Sequence, residues 1–153
     1  MLTIGFELEG EGRATVVLAG DLEAARIPVT DASDPLADLT QGVLGLLTGQ
    51  REAHFSTFDP PAEHLWHLEQ VGRGAVAVEI TRAEGCLDLD PGAPVSRVLQ
   101  LTCPLSELAQ ALSRALETIA RSHGVAGYEQ IWASHPFPAA ARSELRSRLR
   151  RGR

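Results

Sequence analysis

The chain has 153 residues, 44% of them hydrophobic and 22% charged, with a net charge of −6. That make-up predicts one globular domain with a buried core and excludes a membrane helix, which needs about 18 consecutive apolar residues. The acidic start MLTIGFELEGEG lacks the basic and apolar regions of a signal peptide, so a cytoplasmic location is expected.

Every cation is an arginine, and the charge is unevenly spread. Residues 142–153 hold six arginines against Glu144, whereas the rest of the chain holds eight against 19 acids. An acidic body repels phosphate, so nucleic acid is not the expected partner. Cys86 and Cys103 are too few and too far apart for a disulfide framework or a zinc knuckle, and read as reduced thiols.

In chain order, residues 2–19 predict a hairpin. Leu2, Ile4, Phe6 and Leu8 alternate onto one face, Gly10-Glu11-Gly12 turns the chain, and ATVVLAG returns. A short extended piece at Arg26–Val29 adds a third strand. A helix follows over 35–48, with Asp34 as N-cap, Pro35 in the first turn and Gly49 at the C-terminal cap. Its stripe is Leu36, Leu39, Val43, Leu46 and Leu47, and Gly42 and Gly45 allow close packing on a sheet.

Residues 51–81 read as three strands. If the Asp59–Ala62 loop closes the first hairpin, Phe55 faces Trp66 and Ala53 faces Leu68. A three-residue Val71–Arg73 loop then sets Trp66 opposite Val78, Leu68 opposite Val76 and His64 opposite Ile80. Phe55, Trp66, Leu68, Val76, Val78 and Ile80 form the buried face, with His64 a hydrogen-bonded residue at the core edge. The opposite face carries Glu52, His54, Leu65, His67, Glu69 and Glu79. CLDLDPG at 86–92 suggests a short strand and turn, and Val95–Cys103 a further strand. Leu105, Leu108, Leu112, Leu116 and Ile119 mark a strong helix that Gly124 ends. A short helix, a proline-bracketed break at His135–Pro138 and a final basic helix complete the chain, with Trp132 and Phe137 anchoring the break.

The expected fold class is α+β: an antiparallel sheet of about six strands, two main helices packed on one face, and a short C-terminal helical segment. Phe55, Trp66, Leu68, Val76 and Val78 should meet Leu39, Leu108, Leu112 and Leu116.

The chain has no GxSxG elbow, no GxxxxGK[ST] and no GxGxxG, so no catalytic constellation is identified and no cofactor is expected. Asp88 and Asp90 lack calcium-loop spacing and read as a solvated turn. His54 and His67 are cross-strand neighbours, with Cβ atoms about 5 Å apart, and Glu52 and Glu69 lie one step along with Glu79 on the next strand. Two histidines and a carboxylate can bind zinc, but a solvent- or helix-facing polar surface is the expected reading. The arginine-rich tail reads as a solvated helix end, with Leu145 and Leu149 turned inward.

Two stretches carry a resemblance. TDASDPLADLTQGVLGLLTGQ before AHFSTFDPPAEHLWHLE, and HGVAGYEQIWASHPFPAAARSELRSRL with Gly124, Tyr128, Trp132 and Phe137-Pro138, resemble a family of small uncharacterised bacterial α+β proteins. The family implies no transferable activity. Size, acidity and an open sheet are similar to toxin-immunity and other inhibitor-like proteins, an analogy of architecture. The expected function is therefore a non-catalytic protein-binding module of immunity or inhibitor type. Its binding residues would be Glu52, His54, Leu65, His67, Glu69 and Glu79, presented to a basic protein partner. The alternatives are a metal-dependent enzyme using His54 and His67, or a homodimer formed through a strand edge or sheet face.

Overall fold

The computed structural model describes residues 1–132 and 135–152. Arg153, the end of the basic tail, lies outside the described residues.

Among the described residues, seven strands and three helices follow in the order β1 (Thr3–Gly10), β2 (Arg13–Ala19), β3 (Ala24–Thr30), α1 (Pro35–Leu47), β4 (Glu52–Asp59), β5 (Ala62–Gln70), β6 (Ala75–Ala83), β7 (Val95–Pro104), α2 (Leu105–Trp132) and α3 (Ala139–Arg151). They form two antiparallel sheets, β1-β2-β3 and β4-β5-β6-β7, rather than one sheet of about six strands. Period-two alternation tells which side of a strand is buried but not which strands lie side by side. Here α1 intervenes between β3 and β4, which meet through a side chain: the Thr30 hydroxyl donates to the Phe58 carbonyl at 3.0 Å. At the other side of the second sheet, the Gln100 amide on edge strand β7 donates to the Glu23 carboxylate of the β2–β3 turn at 3.3 Å.

One apolar cluster serves both sheets and all three helices. It joins Val16, Leu18, Ile27 and Val29 of the first sheet to Trp66, Leu68, Val76, Val78 and Ile80 of the second. Leu39, Leu108, Leu112 and Leu116 close it from the helices, as their spacing predicts. α2 lies against β1 and β7, α1 against β4, and α3 closes over α1 and α2. Asp34 caps α1, its carboxylate accepting from the Ala37 amide at 3.3 Å. At Gly42 a Cβ would stand 3.3 Å from that of Ala53, which explains a glycine inside a helix: the backbone rests directly on β4.

α2 is broken at Gly124 (φ 70°, ψ 166°), so the expected helix end is there and a second helical stretch runs on to Trp132. Tyr128 and Trp132 are fully buried and Phe137 nearly so. The Tyr128 and Phe137 rings meet edge to face at 5.5 Å, and Trp132 meets Phe6 at 6.0 Å. Leu145 is buried and Leu149 packs against the same cluster, while Arg142 pairs with Glu117 at 2.5 Å. The tail therefore docks on the body through leucines and one arginine.

Two expectations fail locally. No strand forms over 86–92; the amides of Leu89 and Asp90 both donate to the Cys86 carbonyl, closing a turn. Asp90-Pro91-Gly92 is turn chemistry, and the four-residue alternation before it is too short to hold a strand. The second hairpin also pairs two residues away from the expected register: Trp66 faces Ile80, Leu68 faces Val78 and His64 faces Arg82. The loop is longer, with the Val71 amide donating to the Ala75 carbonyl and positive φ at Gly72 and Gly74. A shift of two leaves every side chain on its own face, so the alternation alone could not choose between the registers.

Candidate functional site

The first hairpin has the expected register. A two-residue Pro60-Pro61 turn, with a cis peptide, places Phe55 opposite Trp66, His54 opposite His67 and Glu52 opposite Glu69. Trp66 is 1% exposed, stacks on Phe55 at 5.3 Å and donates its indole N–H to the Thr57 hydroxyl at 3.0 Å. With Trp66 fixed inward, the alternation turns its neighbours Leu65 and His67 to the other face.

That face holds all six predicted residues. Glu52, His54 and Glu69 are exposed; Leu65, His67 and Glu79 are half-buried. The corrected register sets Glu79 directly opposite His67 and Gln100 opposite Glu79, so one rung runs His54–His67–Glu79–Gln100 across four strands. Leu65 lies one rung along, opposite Ser56. The two imidazole rings are 6.1 Å apart, and His67 Nε2 lies 3.0 Å from the Glu52 carboxylate. That hydrogen bond, with the nearby His54 and Arg51, holds the Glu52 carboxyl below its ordinary range. Ligand atoms of Glu52, His54 and His67 all lie within 4.8 Å of one another. A shallow depression of about 370 Å³ opens above His54, Ser56, Leu65 and His67.

His64 behaves differently from its two neighbours. It is 2% exposed, burial pushes its pKa down, and its Nδ1 has no hydrogen-bond partner among the described residues. The expected position among core-facing residues holds; the sequence predicts a hydrogen-bonded residue there, and Nδ1 has no partner among the described residues.

A second concavity carries no signal in the sequence. A cleft of about 430 Å³ opens where the β2–β3 turn, β7 and the start of α2 converge, lined by Asp21, Leu22, Glu23, Cys103 and Glu107 among others. Leu22 is 97% exposed at this cleft. Burial, aided by Glu107, pushes the Cys103 thiol up to about 11, which makes it a poor nucleophile. These residues come from positions some 80 apart in the chain and meet only because the two sheets converge there.

No family model matches this sequence, and no curated protein matches it significantly. Among solved structures, the fold matches a chain of the CdiA-CT/CdiI toxin and immunity complex from Enterobacter cloacae. The TM-score is 0.50 at 12% identity, covering 76% of this chain and 99% of that one. The likeness is one of fold. No helix among the described residues is long and apolar enough to cross a membrane.

Proposed function

We propose that this chain is a non-catalytic protein-binding module of immunity or inhibitor type, docking a basic protein partner on the open face of its second sheet. The observation that carries the proposal is the division of that sheet into two unlike faces. One is covered by helices and the first sheet. The other presents Glu52, Glu69 and Glu79 around two imidazoles and the apolar patch of Leu65 on a paired, rigid backbone. Such a surface suits a cationic partner: the charges speed encounter and Leu65 supplies a desolvated contact. The fold likeness to a chain from a toxin and immunity complex supports the same reading.

The test is association kinetics with purified basic proteins, beginning with the products of adjacent genes. Reversing Glu52, Glu69 and Glu79 together to arginine should lower the association rate about tenfold or more and flatten its dependence on salt. An unchanged, salt-insensitive rate rules this face out. If reversing Asp21 and Glu23 lowers the rate instead, the partner sits at the cleft. Mass growth with concentration in light scattering would favour self-association.

A further inference from the structure

We propose that Glu52, His54 and His67 form a three-ligand site for a divalent transition-metal ion of the zinc class. The proposal goes beyond partner docking and does not depend on it.

Three observations converge. First, the backbone ladder sets His54 directly opposite His67, with Glu52 two residues along the same face of β4, so the three side chains rise from rigid, paired positions. Second, their ligand atoms already lie within 4.8 Å of one another. Tetrahedral zinc with bonds of about 2.0–2.2 Å needs ligand atoms about 3.3–3.5 Å apart. The His67–Glu52 pair, at 3.0 Å, is close to that spacing. The remaining contraction is within the reach of side-chain torsions, because Glu52 and His54 are exposed and the His67 side chain keeps 40% of its surface open to solvent. Third, a depression lined by both rings, Ser56 and Leu65 lies on the side of the histidine pair away from Glu52, leaving room for one exogenous ligand in the ion's fourth position.

The donor set selects the metal class. Two imidazoles and one carboxylate suit zinc, copper, nickel and cobalt; calcium and magnesium prefer all-oxygen shells. With neutral imidazoles, the bound ion and Glu52 leave a net charge of +1. Glu69, opposite Glu52, and Glu79, opposite His67, stand beside it to offset that charge.

The experiment uses the full chain, free of any affinity tag and stripped by chelation, titrated calorimetrically with zinc chloride and separately with magnesium chloride. One zinc per chain is expected and no measurable magnesium. His54→Ala and His67→Ala should each weaken zinc binding by more than the roughly 10–100-fold that loss of an outer-shell partner costs. Both variants should melt with the wild type when metal is absent, since neither ring is in the core. In NMR spectra, zinc should move the ring signals of His54 and His67 and leave those of buried His64 in place. Binding that survives both histidine variants, or ring shifts elsewhere, overturns the site. So does a Glu69→Gln variant as damaging as Glu52→Gln, which would mean diffuse attraction to an acidic face. Partner association measured in chelator reads the docking proposal separately, so each can fail alone.

Discussion

His64 is buried, carries an Nδ1 with no partner among the described residues, and faces Thr57 and Arg82 across its two neighbouring strands. Burial and then Arg82 lower its pKa, against smaller opposing effects of Asp59 and Glu84. Below about pH 6.5 the unfolded chain takes up a proton that the folded chain refuses. The stability contributed by neutral His64 is therefore complete above that pH and is lost as pH falls toward the lowered folded value. Urea midpoints should drop more between about pH 7.5 and pH 5.5 for the wild type than for His64→Phe. Equal drops would assign the acid sensitivity to other groups. The sequence foretold the position of His64, because alternation from Trp66 places it inward. It could not foretell the unmet nitrogen, which depends on where Thr57 and Arg82 direct their own polar atoms.

At the scale of elements, α2 shows how one residue fixes the geometry of a long segment. Gly124, with φ 70° and ψ 166°, occupies a region open in practice to glycine alone. A Cβ there would meet nothing within 4 Å, so any penalty is one of backbone conformation and not of crowding. Gly124→Ala should destabilise the fold by about 1–3 kcal/mol, read as a shift in the denaturant midpoint with the slope unchanged. A variant as stable as the wild type would show that the bend persists without glycine. The break was legible because a glycine follows a strongly periodic helix. The burial of Trp132 and Phe137 beyond it agrees with their reading as anchors, and Tyr128 is buried with them. The second hairpin was legible only to within two residues: each register buries valines and isoleucine together, and the positive φ of Gly72 and Gly74 that shapes the longer turn is not visible in the alternation.

For the whole molecule, patterning showed which faces are buried but not how the strands divide into sheets. β3 and β4 both look like partners for a neighbour, and nothing in their alternation says that α1 will keep them in separate ladders. For the same reason the open face of the second sheet was readable, while the cleft of Asp21, Glu23, Cys103 and Glu107 was not. The Glu23–Gln100 hydrogen bond across that junction has a consequence of its own. β7 is an edge, and a bare edge strand is a template on which another chain can add itself. By occupying the Gln100 amide, Glu23 places a negative charge and a carboxylate where an intruding strand would need a carbonyl. Glu23→Ala should lower the temperature at which light scattering rises on slow warming, with little change in the melting midpoint. The first sheet would then serve as a sentry against polymerisation of the second.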